Sequence, residues 1–331
     1  MEQELTKKIL RKVRHIEVKT RRLVDDSLAG GYHSVFKGRG MNVDEVREYV
    51  PGDEVRAIDW NVTARTGVPH VKKFTEEREL TMLLIIDVSL SGLFGSGSQR
   101  TPNPTRQDSK GDENSRQQAG IEPGFQTKRE MMAEVASVLA FSAMRNNDRV
   151  GLLLFTDQTE LYIPPKKGRS HILRVIREIL FFQPRGRGTD LVQALDLINR
   201  MNRRRAVLFL LSDFCLPGDH AKALEELATP LYLTGRRHDL TSIAITDPRE
   251  HELPDVGWIT LEDVESGEQV HLNTSDAWTR KAYANLARDQ HARLRSLMRQ
   301  NGVDLLELST DAPYIAPLAR FFKARGRRRA R

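Results

Sequence analysis

Short apolar runs recur from about residue 80 onward, and they predict strands that are buried inside a sheet. The first run ends at Asp87, is rich in Leu and Ile, and contains neither Gly nor Pro. Runs of this length and composition are typical of strands covered on both faces. Six strands are predicted, at 80–86, 150–155, 160–163, 206–211, 241–246 and 303–308.

Segments with apolar residues at helical spacing separate these strands. They predict helices at 131–142, 172–180, 191–201, 221–228, 276–300 and 316–324. Alternation of strands and helices is typical of an α/β protein with a mostly parallel sheet and helices on both faces. The stretch 255–270 resembles a β-hairpin inserted after the fifth strand.

The first 78 residues have a different pattern. Apolar residues between Leu5 and Leu23 recur at helical spacing among basic residues, which predicts an amphipathic helix that packs on the body rather than on a membrane surface. Three short extended segments are predicted after it, at 46–50, 55–60 and 71–74. The charged residues around them suit either structural ion pairs or a partner-binding surface.

Residues 92–127 are rich in Gly, Ser, Pro, Asn and Gln and contain few apolar residues. Such a composition cannot supply a core, so a mobile loop is expected. Because the segment begins beside Asp87, it is a candidate lid, although an insertion without function is the favoured interpretation.

The composition excludes several classes of protein. The longest apolar runs of this 331-residue chain fall far short of the ~20 residues that span a bilayer. The charged N-terminus lacks the apolar segment of a signal peptide. Cys215 is the only cysteine, predicted to be a buried small residue, and it can form no intramolecular disulfide. A reduced, cytoplasmic protein is therefore predicted.

The net charge of +7 is concentrated at the C-terminus. Seven basic residues and no acidic ones lie in 320–331, and subtracting those seven from the 52 basic residues leaves 45, equal to the 45 acidic ones. The tail could contact nucleic acid, an anionic membrane or an acidic partner. A disordered, solubilising tail is an equally good interpretation.

The end of the first strand carries candidate chemistry. Asp87, Ser89 and Ser91 follow it at alternate positions. Ligands of open α/β sheets gather outside the carboxyl ends of the strands. One carboxylate and two hydroxyls at this place are hard oxygen donors of the kind that Mg²⁺ prefers. These residues therefore predict half of a metal site.

Several motifs lie upstream of that strand. They are Arg47-Glu-Tyr-x-Pro-Gly-Asp-Glu-x-Arg-x-Ile-Asp-Trp, then Thr63-Ala-Arg65, Val71-Lys-x-Phe and Glu76-Glu-Arg78. Together with Asp87-x-Ser-x-Ser, which follows at the family's spacing, they resemble the signature of the domain of unknown function family 58. The match extends from about residue 30 to 323. The sequence departs from the family at Asn42-Val43, where Glu-Phe is frequent, and at Gly92, where Met is frequent.

The resemblance implies a von Willebrand factor A-like (Rossmann-like) fold, preceded by a small N-terminal helix and β segment. It also implies a partnership with MoxR-type AAA+ ATPases, whose genes commonly neighbour those of the family. The candidate surface formed by the family motif comprises Arg47, Tyr49, Pro51, Gly52, Asp53, Arg56, Asp59, Trp60, Arg65, Lys72, Glu77 and Arg78.

The same resemblance implies how the metal site is completed. A von Willebrand factor A domain binds its metal through Asp-x-Ser-x-Ser, a distant Thr and a later Asp. The implied ligands of Mg²⁺, or of Mn²⁺ or Ca²⁺, are Asp87, Ser89, Ser91, Thr189 and Asp213, some of them through water. Alternatively, Thr189 or Asp190 could cap a helix, and Ser212-Asp213 a following turn.

The chain lacks a Gly-x4-Gly-Lys-Ser/Thr phosphate loop, and no catalytic constellation is recognised. The predicted organisation is a family segment at 1–78 packed on the body, a von Willebrand factor A-like domain at 79–320, and a basic tail at 321–331. The predicted function is non-catalytic: a metal-dependent protein-interaction module, acting as an adaptor of a MoxR-type ATPase on an unknown client. A metal-dependent hydrolase or phosphatase and a nucleic-acid-binding protein remain alternatives.

Overall fold

A computed structural model describes residues 42–51, 53, 55–75, 80–95, 127–202, 204–263 and 267–329 of the chain. The helix predicted within 1–30 and most of the polar insertion, 96–126, lie outside the described residues. The predictions made for those two segments therefore stay predictions.

The N-terminal family segment contains a two-stranded antiparallel sheet. Strand β1 (Asn42–Glu48) pairs with β2 (His70–Thr75), and helix α1 (Trp60–Thr66) lies between them in the chain. The prediction of an extended segment at 55–60 is wrong for most of its length, because a 3-10 turn occupies Val55–Ala57 and α1 begins at Trp60. Within it, Ile58 forms an antiparallel β-bridge with Val71. The Asp59 carboxylate accepts hydrogen bonds from the first backbone N–H groups of α1, which stabilises the helix start that the sequence reading overlooked.

Eight further strands follow in the described part of the chain. They are β3 (Thr81–Asp87), β4 (Arg149–Phe155), β5 (Thr159–Lys166), β6 (Val207–Ser212), β7 (Asp239–Thr246), β8 (Trp258–Glu262), β9 (Gln269–Asn273) and β10 (Asp304–Ser309). Six form one sheet in the order β10-β7-β6-β3-β4-β5, in which only β5 is antiparallel to its neighbour. Strands β8 and β9 form the predicted hairpin.

Seven helices complete the described fold. They are α2 (Lys128–Arg145), α3 (Arg169–Phe181), α4 (Leu191–Met201), α5 (His220–Arg237), α6 (Pro248–His251), α7 (Ala277–Gln300) and α8 (Ile315–Arg329).

Alternate side chains of β3 pack on opposite faces of the sheet, as the period of a strand requires. Met82, Leu84 and Ile86 belong to the core that α2, α3 and α8 cover. Leu83 and Ile85 belong to the core that α4, α5 and α7 cover. The predicted fold class, an α/β protein with a mostly parallel sheet and helices on both faces, is confirmed.

Helices α5 and α8 extend well past the C-terminal ends that the sequence predicts. Helix α5 continues past Pro230, although proline usually breaks a helix, because Pro230, Leu231 and Thr234 are buried on the face that carries Leu227. Packing of that face outweighs the lost backbone hydrogen bond. Helix α8 continues to Arg329, so most of the segment predicted as a basic tail is helical.

Arg325 of α8 explains why the helix extends into that segment. Its guanidinium is buried and contacts Asp239 at the start of β7, and its Nε lies 2.8 Å from Asp304 Oδ2 at the start of β10. Its Nη1 donates a hydrogen bond of 2.5 Å to Thr241 Oγ1. The positive charge therefore pairs with acidic residues at the amino ends of the strands.

Replacing Arg325 tests this ion-pair cluster. Arg325→Met would leave Asp239 as a buried carboxylate without its cation, and we expect it to lower the free energy of unfolding by about 3 kcal/mol. Arg328, whose side chain is 76% exposed and lies 3.6 Å from Asp304, supplies the control. Arg328→Met should cost less than about 1 kcal/mol. Urea denaturation measures both values, and equal effects of the two substitutions would contradict the assignment.

Candidate metal centre

The carboxyl ends of β3 and β6 bring the predicted acidic ligands together. Strand β3 ends at Asp87, and its parallel neighbour β6 ends at Ser212, with Asp213 next in the chain. Because parallel neighbours end at the same edge of a sheet, residues more than a hundred positions apart meet here. The negative charge of Asp213 acts directly on Asp87.

Both carboxylate oxygens of Asp87 accept hydrogen bonds. Oδ1 accepts from the backbone N–H of Ser89 at 2.9 Å. Oδ2 accepts from the Ser212 hydroxyl at 2.7 Å and, over a longer distance of 3.5 Å, from the Thr189 hydroxyl. Asp87 is 2% exposed. Its carboxylate is therefore fixed at the centre of the site by residues from three loops.

Ser89 and Ser91 line the same centre. Their hydroxyl oxygens lie 3.0 Å apart, and both side chains are buried. A 3-10 turn at Leu90–Leu93 follows β3 directly and turns the chain so that the two alternate serines meet.

Thr189 is positioned by the loop that precedes α4. The capping role falls on Asp190, whose carboxylate accepts a hydrogen bond from Gln193 N at 2.8 Å, while Thr189 is directed to Asp87. The loop is tied to the end of β4, because Asp190 N donates to the Thr156 carbonyl at 2.9 Å. Gly186 lies so close to Thr156 that a Cβ there would overlap its side chain.

Asp213 is held by two donors. Its Oδ1 accepts from the backbone N–H of Cys215 at 3.0 Å, and its Oδ2 lies 2.5 Å from Lys128 Nζ. Phe214, which lies between Asp213 and Cys215 in the chain, has a φ of 55°, a left-handed conformation that is uncommon outside glycine. The Phe214 N–H donates to the Ser212 hydroxyl at 2.9 Å, so this tight turn fixes both residues at the end of β6.

Lys128 is a member of the site that the sequence reading missed. It is the first residue of α2 and is 1% exposed, and its ammonium contacts the carboxylates of both Asp213 and Glu250. Burial lowers the pKa of Lys128, but these two carboxylates outweigh that effect and raise it above its ordinary range. Lys128 is therefore a fixed positive charge inside the site.

The pKa of Asp87 is raised to about 6. The main cause is burial, which disfavours the charged form, and the negative charge of Asp213 adds to it. Hydrogen bonds from Ser89 and Ser212 lower it in part. The ionised form of Asp87 is therefore electrostatically unfavourable in the folded protein, and a bound cation would stabilise it.

The donor set fits a hard divalent cation. Two carboxylates and three hydroxyls converge, and each of these side chains is at least nine-tenths buried: Asp87, Ser89, Ser91, Thr189 and Asp213. These are the ligand types of Mg²⁺, Mn²⁺ and Ca²⁺. Across the ranges that the structure describes, no group of three or more His, Cys, Asp or Glu side chains could hold a metal ion. A cation bound here would therefore need the hydroxyls as well as the two carboxylates.

The family motif forms a turn and a helix start. The Arg47 guanidinium lies 2.6 Å from Asp53, and Asp53 also accepts a hydrogen bond from Val50 N at 2.9 Å. That backbone hydrogen bond, with Arg47 next, lowers the pKa of Asp53. Asp59 caps α1, whose Trp60 is exposed. Arg47 and Asp53 thus form an ion pair within the segment and Asp59 a helix cap, while the alternative role in partner binding stays a prediction.

The remaining motif positions are only partly visible. Tyr49 N donates to the Pro69 carbonyl at 2.8 Å, while Pro51 and Arg65 are exposed. Gly52, Glu77 and Arg78 lie outside the described residues, and so do the side chains of Arg56 and Lys72. Their predicted role in a partner-binding surface stays a prediction.

Cys215 corrects a further prediction. It is exposed, whereas the sequence reading predicted a buried small residue. The reason is local, because β6 ends three residues earlier and the tight turn at Phe214 leads the chain out of the core.

Comparisons with known proteins place the chain in a family. The family model described as "Protein of unknown function DUF58" matches residues 45–104 and 112–293. The chain is 31% identical, over 322 residues, to uncharacterised proteins of Mycobacterium tuberculosis and Mycobacterium bovis. Those matches cover 97% of this chain and 90% of each relative.

Solved structures similar to the chain share little sequence with it. A conserved hypothetical protein BatB from Bacteroides thetaiotaomicron is 13% identical, with a TM-score of 0.38, over 75% of this chain and 99% of that one. The SpRpn10 VWA domain is also 13% identical, with a TM-score of 0.35, over 73% of this chain and 94% of that one. Separately, no helix among the described residues is long and apolar enough to cross a membrane.

Replacing Asp87 by Asn tests whether the buried negative charge of Asp87 lowers the stability of the folded protein. A carboxyl whose pKa is raised on folding stabilises the protein below its unfolded pKa, and that stability is lost as the pH rises through about 6. In EDTA at pH 7.5, Asp87→Asn should therefore raise the free energy of unfolding by about 2–3 kcal/mol.

The gain should disappear below about pH 4, where the wild-type carboxyl is protonated in both states. Urea denaturation across this pH range is the measurement. A loss of stability on Asp87→Asn at pH 7.5 would contradict the assignment.

Proposed function

We propose that this chain, which belongs to the DUF58 family, is a protein-interaction module that binds an acidic partner residue through a divalent cation. The cation would be Mg²⁺, or Mn²⁺ or Ca²⁺, held by Asp87, Ser89, Ser91, Thr189 and Asp213. The observation that carries the proposal is the convergence of five residues with buried, oxygen-bearing side chains, from three separate loops, at the carboxyl ends of adjacent strands.

In this proposal the chain's own residues hold the cation, and their hydrogen bonds orient its ligands. Asp87 would contribute a carboxylate that the Ser89 N–H and the Ser212 hydroxyl keep in one orientation. Asp213 would contribute the second negative charge. The cation would supply an open coordination position for a carboxylate of the partner. The anionic groups of this protein could not attract that carboxylate without the cation.

The surroundings of the site suit a protein segment. Ser91 and Thr189 lie in the wall of a cavity of about 1880 Å³, larger than the ~300–1,000 Å³ that is usual for a small-molecule pocket. Apolar side chains form much of its wall, among them Leu216, Leu253 and Ile259. The favoured ligand is therefore an acidic residue flanked by apolar ones.

The partner is proposed to be a MoxR-type AAA+ ATPase together with a client protein. This partnership rests on the family resemblance, and the site geometry supports only the acidic group that such a partner must present. In this role the chain is an adaptor that selects or holds a client while the ATPase remodels it.

Binding of Mn²⁺, followed by electron paramagnetic resonance, tests the metal centre. Wild type should bind one equivalent, and the double substitution Ser89→Ala/Ser91→Ala should weaken binding at least tenfold, because two ligands are lost. Ser137→Ala is the matched control, since Ser137 is a fully buried serine whose hydroxyl donates to a carbonyl of its own helix, Ala133 O. An affinity unchanged by the double substitution would refute the proposed ligand set.

Co-purification with the MoxR-type ATPase of the same genome tests the interaction. The complex should form in Mg²⁺ and be lost in EDTA, and Asp87→Asn should abolish it in Mg²⁺. A complex that persists in EDTA would count against a metal-mediated contact.

A further inference from the structure

Lys128 occupies an unusual place for a buried lysine. It begins α2, where the positive end of the helix dipole disfavours a cation, and nearly all of its side chain is removed from water. Its ammonium lies 2.5 Å from Asp213 Oδ2, contacts Glu250 and sits 5.9 Å from the centre of the Phe94 ring. The two carboxylates are what make this position tolerable.

Glu250 is equally well fixed. Its Oε1 binds Lys128, and its Oε2 accepts a hydrogen bond from Asp247 N at 2.9 Å at the start of α6. Asp247 in turn accepts a hydrogen bond of 2.6 Å from the Thr310 hydroxyl. Lys128 is thus tied, through Glu250, to the ends of β7 and β10 as well as to Asp213.

The charges of the site can be counted from these contacts. Glu250 and Lys128 cancel each other, and Asp87 and Asp213 leave two negative charges, equal in size to the charge of a divalent cation. Neither Lys128 nor Glu250 belongs to the proposed ligand set. Lys128 nevertheless contacts the ligand Asp213, and both side chains are buried, so their charges act strongly on each other. Glu250 contacts Lys128, and its side chain is 30% exposed.

We propose that the Lys128–Glu250 pair sets the affinity of the centre for its cation, with Lys128 weakening binding and Glu250 strengthening it. The inference rests on the proposed metal-dependent function. Lys128 stabilises Asp213 without the metal and repels an incoming cation, so the ion binds reversibly. Glu250 offsets that effect by neutralising the charge of the ammonium.

A purely positioning role for Lys128 gives the opposite expectation. If the ammonium served only to orient Asp213, removing it would misplace a ligand and weaken cation binding. The sign of the change in affinity therefore separates charge tuning from positioning.

A double-substitution cycle measured by Mn²⁺ titration tests the inference. Lys128→Met leaves three negative charges and should tighten binding at least tenfold, whereas Glu250→Gln leaves one and should weaken it at least tenfold. The double variant restores the charge of wild type and should bind within about threefold of it. Gln at position 250 can still accept the hydrogen bond from Asp247 N.

Lys323→Met is the matched control, since Lys323 is an exposed lysine of α8, near Arg325 at the amino ends of the strands, and should leave the affinity unchanged. Thermal melting in EDTA checks that each variant is folded. If Lys128→Met does not fold, Glu250→Gln and the double variant still decide the order of affinities.

Several results would overturn the inference. Weaker binding by Lys128→Met, or equal binding by all variants, contradicts charge tuning while leaving the metal centre intact. Absence of Mn²⁺ binding by wild type and by every variant overturns both the inference and the proposed function.

Discussion

The burial of two carboxylates, Asp87 and Asp213, at the ends of adjacent strands is the constraint on which the rest of this site depends. Removing an ion from water costs several kcal/mol, and two like charges side by side cost more. The protein offsets that cost with the Ser89 N–H, the Ser212 hydroxyl and the ammonium of Lys128. What remains is a net negative centre that favours a cation.

The fold supplies the means to hold those charges. Apolar strands covered by helices on both faces leave the polar groups at one edge, and a network of polar contacts joins the strand ends there. From β3 it passes through Ser212 and Asp213 at β6 to Lys128 and Glu250, and then through Asp247 to Thr310 after β10. These contacts join the ends of β3, β6, β7 and β10 at one edge of the sheet.

The order of strands and helices could be predicted from the sequence, because buried strands and amphipathic helices have distinct periods. The Asp-x-Ser-x-Ser stretch was visible for the same reason, since it follows a buried strand directly. Helix α1 and the full length of α5 were not predicted. In one case a cap at Asp59 decides the structure, and in the other tertiary packing overrides Pro230.

Lys128 and Glu250 could not be found by reading along the chain. Lys128 pairs with residues 85 and 122 positions away, and no local pattern encodes such a contact. The one available signal was a lysine at the first position of a helix, which opposes the helix dipole and therefore requires a partner. Nor does the sequence show that Asp190, rather than Thr189, caps α4; the structure assigns those roles separately.

The most direct test of the central claim is a crystal structure of the protein grown with Mn²⁺, with anomalous scattering data to locate the ion. We expect one strong anomalous peak between Asp87 and Thr189, with hydroxyl or carboxylate oxygens of the site at about 2.1 Å from it. Lys128 should remain beside Asp213. The absence of a peak there at saturating Mn²⁺, with Asp87 bonded only to its present protein donors, would contradict the claim.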